Sequence, residues 1–103
     1  ESAAWNTLLG DRALEVPVTS VKGCVGHMLG AAGAIEGIVA ALSAARSVVP
    51  PTAGFAEADP ECPVKVPTAA MVNYEQKVLL SNSLGFGGHN ATLALSPFIE
   101  ERA

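Results

Sequence analysis

Residues 28 to 46, MLGAAGAIEGIVAALSAAR, contain no proline, are rich in alanine and glycine, and put apolar side chains on every side of a helical wheel. A helix with no polar face has nowhere to turn toward water, so this segment is expected to be one helix buried all round. Such a helix must be a central element with other layers of the fold against it. Half of the 103 residues are hydrophobic, while only 16% are charged and 5% aromatic. The apolar load is therefore mainly Ala, Val, Leu and Ile, the residues of buried helices and strands. One small domain leaves much of its surface wet, so a chain this apolar reads as part of a larger fold, or as one that needs a partner to cover it. Its composition is uniform and shows no boundary, repeat or low-complexity segment.

Charge and cysteine usage exclude several function classes. The formal net charge of −4 is spread without a run of either sign, which removes the basic footprint of a nucleic-acid binder. Glu36 and Arg46 interrupt the long apolar segment, and its alanines and glycines insert poorly into lipid, so no membrane span is expected. Residues 1 to 20 lack a basic start followed by an apolar core, and Cys24 and Cys62 form no CxxC pair. Both features fit reduced thiols and a cytoplasmic location. Cys24 and His27 are the only closely spaced thiol and imidazole, and no metal site is expected.

Along the chain, ESAAWNTLLG has apolar residues at helical spacing and a glycine stop at Gly10. VPVTSV is a short β-branched run suited to a buried strand, and KGCVGH reads as a turn leading into the long helix. Residues 48 to 67 hold most of the prolines and predict an extended, irregular connection. KVLLSNS and ATLALS are strand-like, and LGFGGHN between them, with three glycines, suits a tight β-hairpin. The expected class is α/β.

Three ionisable groups stand out. A carboxylate at Glu36 on a buried helix is costly unless a cation or hydrogen-bond donors meet it. His27 is nine residues away, about 900° around a helix, so the two project from opposite faces; Lys22, in the preceding loop, is the better partner. Such a pair could simply fix the loop to the helix or could belong to an active site. His27 is placed at the helix entrance, where the macrodipole disfavours a second positive charge. The imidazole is expected to be uncharged, either capping the helix or donating its N–H to a developing oxyanion. GFGGHN lacks the third glycine of a dinucleotide loop and leads into a strand, so a phosphate site is rejected. Gly85 and Gly87 instead let the backbone at Phe86 approach a ligand and present N–H donors, unless the segment is an ordinary hairpin. His89 is read as turn polarity.

In their order and spacing, VPVTSVKGCVGHMLGAAGAIE, VVPPT, DPECPVKVP and SNSLGFGGHNATLAL resemble the C-terminal part of the beta-ketoacyl-acyl carrier protein synthases, condensing enzymes of the thiolase-like group. The resemblance spans nearly all of residues 17 to 95. Modular polyketide synthases share a looser form of it. It implies that residues 1 to 103 are an incomplete C-terminal segment of a layered αβαβα fold, and that the whole enzyme performs decarboxylative Claisen condensation of an acyl thioester with malonyl-acyl carrier protein in fatty-acid or polyketide synthesis. Carried over, His27 becomes the histidine of the KxxxGH motif, which stabilises the enolate; Lys22 is that motif's lysine and Glu36 its carboxylate partner. Phe86 becomes the gating phenylalanine, whose N–H is half of the oxyanion hole, flanked by Gly85 and Gly87. Leu84 stands where phenylalanine is commonest and His89 where threonine is common.

The nucleophilic cysteine and second catalytic histidine of the family match nothing in this chain, neither Cys24 nor Cys62, so no turnover is expected from it alone. The implied partners are the acyl carrier protein, the N-terminal remainder of the enzyme, and a second subunit in a homodimer or heterodimer. No metal or organic cofactor is implied, because the phosphopantetheine arm arrives with the substrate. Two other readings remain: a non-catalytic chain-length factor or assembly subunit of the same fold, and a thiolase proper, which would use a cysteine in place of one histidine.

Overall fold

The computed structural model describes residues 1–98. Its order is helix, three short helical turns, a longer helix and a two-stranded sheet. Contacts divide the chain into two compact units: Glu1–Gly26 with Val49–Met71, and His27–Val48 with the chain from Val72 onward.

The first unit starts with helix α1, Ser2–Leu9, which stops at Gly10 (φ 55°), a backbone conformation glycine adopts without the Cβ penalty. Asn6 donates from Nδ2 to the Pro63 carbonyl at 3.1 Å and so ties α1 to the proline-rich connection. The strand expected at VPVTSV is not formed. Pro17 makes an isolated parallel bridge with Lys65, and the Val18 N–H donates to the Lys65 carbonyl at 2.8 Å. Proline offers no N–H to continue a ladder, and among the described residues no further partner extends the pairing. A single helical turn, α2 (Lys22–Val25), follows. Residues 48–67 are irregular as expected, apart from bridges at Val49 with Met71 and at Lys65 with Pro17.

Helix α3, Ala32–Arg46, dominates the second unit. It ends at Ser47, which is left-handed (φ 52°) and sends its N–H to the Ser43 carbonyl. Gln76 Nε2 donates to Ser43 O at 3.3 Å and to Val48 O at 3.2 Å, adding a side-chain donor to carbonyls that already accept at this helix end. Strands β1 (Leu79–Leu84) and β2 (Asn90–Leu95) pair antiparallel with Leu79 opposite Leu95 and Leu84 opposite Asn90. This hairpin lies on α3, opposite two of its glycines. A Cβ at Gly33 would sit 3.7 Å from Ser83 Oγ, and one at Gly37 would sit 3.5 Å from Leu93 Cδ1.

Two expectations about the long helix are corrected. It does not begin at Met28 but at Ala32, because Gly26 (φ 78°) and Leu29 (φ 50°) leave the helical region, and Leu29–Ala31 forms a separate 3-10 turn. Nor is it buried all round: Ser43 is its only buried residue. The hairpin covers one face, while Ile38 and Leu42 stay 57% and 47% exposed; two strands are too narrow to enclose a helix about 10 Å wide. By length and hydropathy alone, Leu29–Arg46 could cross a membrane. The continuous α-helix within it has 15 residues, about 22 Å at 1.5 Å per residue, against a hydrocarbon core of about 30 Å.

The glycines differ in what they tolerate. A Cβ on Gly23 in α2 would collide with the Ala53 carbonyl oxygen and lie 3.0 Å from its carbon, whereas one on Gly37 meets only ordinary contact. Gly23→Ala is therefore expected to lower stability by about 1–3 kcal/mol, the usual cost of overpacking. Gly37→Ala should be neutral or stabilising by up to about 1 kcal/mol through helix propensity. Urea unfolding midpoints of the two variants test this contrast.

Candidate active site

The KGCVGH stretch folds into α2 because its backbone is closed locally. Cys24 and Val25 donate to the Val21 carbonyl at 3.0 Å each, Gly26 donates to Lys22 O at 2.8 Å, and the Lys22 N–H reaches Ser20 Oγ at 3.3 Å. Gly26, at φ 78° and ψ 175°, then turns the chain out of the helix. Lys22, the first residue of α2, is half-buried. Gly23, which packs against the Ala53 carbonyl, and the hydrogen bond between the Thr19 and Thr52 hydroxyls (2.7 Å) hold the same turn to the PPT segment.

His27 follows Gly26 and is exposed. The Leu29 backbone N–H donates to His27 Nδ1 at 3.0 Å. A backbone N–H can only donate, so Nδ1 is the accepting nitrogen and the ring proton resides on Nε2. Leu29 itself takes a left-handed backbone, φ 50°, at a cost on the order of 1 kcal/mol for a residue with a Cβ. Nothing in the sequence flags Leu29, since leucine is not a residue associated with positive φ. The dipole argument for His27 is also corrected: the ring lies five residues before α3, and its tautomer is held by one neighbouring amide.

Glu36 lies within the second turn of α3 and is half-buried, not enclosed. The full penalty expected for a buried carboxylate is thus not incurred within this chain. Its neighbours Gly33 and Gly37 face the hairpin.

The second candidate element is the loop joining β1 to β2. Gly85 is extended, Phe86–Gly88 forms a 3-10 turn, and Gly87 and Gly88 take φ 77° and 80°. The Gly85 N–H donates to the His89 carbonyl at 2.6 Å and closes the loop. Phe86 is 100% exposed, so no side chain holds its ring. Leu84, the last residue of β1, is exposed as well. His27, Glu36, Gly85, Phe86 and Gly87 belong to one compact unit, and Lys22 to the other. Both cysteines are exposed free thiols, and among the described residues no three His, Cys, Asp or Glu side chains gather as metal ligands would.

Residues 1–56, which include the α2 turn, His27 and α3, match the family model described as "Beta-ketoacyl synthase, C-terminal domain". The chain belongs to this beta-ketoacyl synthase family. Similarity extends beyond the matched half. The Tetracenomycin polyketide synthase ketoacyl synthase alpha subunit of Streptomyces glaucescens is 43% identical over 100% of this chain and 24% of its own length. The 3-oxoacyl-[acyl-carrier-protein] synthase 2 of Synechocystis sp. is 39% identical over 95% of this chain, and that of Staphylococcus aureus 41% over the same share; each is covered to 24%. A solved structure of a type II PKS acyl-carrier protein in complex with its ketosynthase bound to the hexaketide superposes with a TM-score of 0.89 at 31% identity, covering 95% of this chain and 24% of that one. The chain thus spans about a quarter of the length of the relatives it matches.

The tautomer of His27 is testable without catalysis. Leu29→Gly keeps the N–H and relieves the left-handed cost, so the imidazole ¹⁵N shifts should retain an Nε2–H signature. Leu29→Pro removes the donor and cannot reach positive φ, and should give averaged shifts from two tautomers.

Proposed function

We propose that this segment supplies the enolate-stabilising part of a beta-ketoacyl synthase, which joins an acyl thioester to the two-carbon unit of malonyl-acyl carrier protein with loss of carbon dioxide. The observation that carries the reading is the Leu29 amide on His27 Nδ1, which leaves Nε2–H as the donor at the KxxxGH motif. Family membership and the named relatives support it.

In this mechanism the bond between the malonyl carboxylate carbon and its methylene breaks, carbon dioxide departs, and the electron pair becomes an enolate with negative charge on the thioester oxygen. His27 Nε2–H donates to that oxygen, stabilising charge where it develops. The enolate carbon attacks the acyl group held on a cysteine outside this segment. The resulting tetrahedral oxyanion receives the Phe86 N–H as one of its two donors, and collapse expels the cysteine thiolate. By the resemblance Lys22 is the motif's lysine and Glu36 its carboxylate, and Gly85 and Gly87 give the Phe86 backbone and ring room to move. The acyl group and the malonyl unit come on the phosphopantetheine arm of the acyl carrier protein, so the chemistry requires no resident metal or organic cofactor.

This reading places residues 1 to 103 in the second half of a layered αβαβα thiolase-like domain, within a cytoplasmic dimer. The N-terminal remainder brings the nucleophilic cysteine and covers the exposed faces of α3 and the hairpin, and the segment by itself is inactive. A non-catalytic assembly subunit is disfavoured by the retained Lys22, His27 and Glu36, since a subunit freed from catalysis gains nothing from keeping ionisable groups in an apolar helix and its approach.

In the complete enzyme, His27→Ala should lower malonyl decarboxylation by about 10²–10³-fold, the scale for loss of one oxyanion donor. Acyl transfer to the cysteine, followed separately by mass spectrometry, should stay within a few-fold. Equal loss of both activities would overturn the assignment.

A further inference from the structure

A single helical turn does not hold its own position. The backbone bonds of α2 (Lys22–Val25) close one turn only, and a helix so short is far below the length at which such bonds repay the cost of ordering it. Its place is therefore set by what it touches. Two contacts, both inside the first compact unit, come from adjacent residues, Thr52 and Ala53. The Thr52 hydroxyl shares a hydrogen bond of 2.7 Å with the hydroxyl of Thr19, three residues before Lys22. The Ala53 carbonyl faces Gly23, one residue after Lys22. A Cβ on Gly23 would overlap that carbonyl oxygen, so the Gly23 Cα, one bond back from the point of overlap, is itself against it. Thr52 and Ala53 thus meet the chain on either side of Lys22.

The backbone around the two threonines is held without their hydroxyls. The Thr52 N–H donates to the carbonyl of buried Pro67 at 2.9 Å, and Val18, beside Thr19, donates to the Lys65 carbonyl at 2.8 Å. What the hydroxyl pair adds is direction, because an O–H···O bond is satisfied over a narrow range of distance and angle, whereas apolar burial is non-directional. Resting on the reading of Lys22 as the lysine of the KxxxGH motif, we infer that Thr52 is a positioning residue for decarboxylation: its hydroxyl, bonded to Thr19, fixes where α2 starts and thereby where Lys22, the first residue of that turn, stands.

The test uses the complete enzyme and measures kcat and KM for decarboxylation of malonyl-acyl carrier protein, and separately the rate of acyl transfer to the cysteine, well below the melting temperature of each variant. Thr52→Val keeps the branched shape and loses the hydroxyl. It should lower the decarboxylation kcat by about 5- to 20-fold, part of the roughly 10²-fold that a displacement of about 1 Å can cost, with KM and acyl transfer within twofold of the parent. A role confined to stability would shrink the active fraction and lower both activities together. Thr19→Val removes the other half of the bond and should give the same selective loss, and the double variant should lose no more than either single one, since both act through one bond. Thr52→Ser retains the hydroxyl and should stay within about threefold of the parent. Lys22→Ala serves as the control for the reading of the lysine and should lower decarboxylation at least as far as Thr52→Val.

Unchanged decarboxylation in Thr52→Val, with Lys22→Ala losing it, overturns the role of Thr52 and leaves the reading of Lys22 standing. Equal loss of both activities in Thr52→Val, or a selective loss as large in Thr52→Ser, overturns it too. Should Thr52→Val fail to fold, unchanged decarboxylation in Thr19→Val does the same. Unchanged decarboxylation in Lys22→Ala removes the reading of Lys22 and the inference with it.

Discussion

The close seating of the β1–β2 hairpin on α3 is the constraint from which the second unit takes its form. Gly33 and Gly37 are one turn apart on the same helix face, and each lies opposite a strand residue, Ser83 from β1 and Leu93 from β2, at a distance that leaves ordinary contact for a Cβ. Side chains three or four apart on a helix share a face, so two glycines at that spacing make a shallow track for the sheet. The helix gives up propensity at both positions, about 1 kcal/mol each. The hairpin ends in the Phe86 loop, and α3 is entered through the His27 turn, so one packing arrangement carries both candidate elements.

The ends of α3 are built differently. Its C-terminal end is closed by local structure: Ser47 in a left-handed cap, the Ser43 hydroxyl on Val48 O, and Gln76 across from the segment before β1. Its N-terminal approach instead turns through Gly26 and Leu29, both at positive φ, with a Cβ cost only at Leu29, and the Leu29 amide donates to the imidazole of His27. The result is a histidine with a defined donor.

Much of the architecture was legible in local residue patterns. The first helix and its Gly10 stop, the proline-rich connection, and the two strands around three glycines follow from propensity and turn chemistry acting over a few residues. The candidate residues were chosen on the same local grounds, because ionisable groups in an apolar stretch and glycines around an aromatic stand out against their surroundings. Less legible were the features set by neighbours distant in sequence. VPVTSV has a strand's composition but pairs at one point only, since strand formation depends on a partner edge. His27 does not cap α3, because a left-handed leucine, unmarked by its type, separates them.

By itself the sequence determined the elements, the motif residues and the family they mark, since these rest on side-chain type and short-range backbone preference. Only the tertiary structure decided which imidazole nitrogen carries the proton, and which glycines face a neighbour and which are turns. Each of these depends on where an atom lies relative to a backbone group that spacing along the chain does not place. A hydrogen bond or a van der Waals contact is fixed by tenths of an ångström, which periodicity and propensity do not resolve.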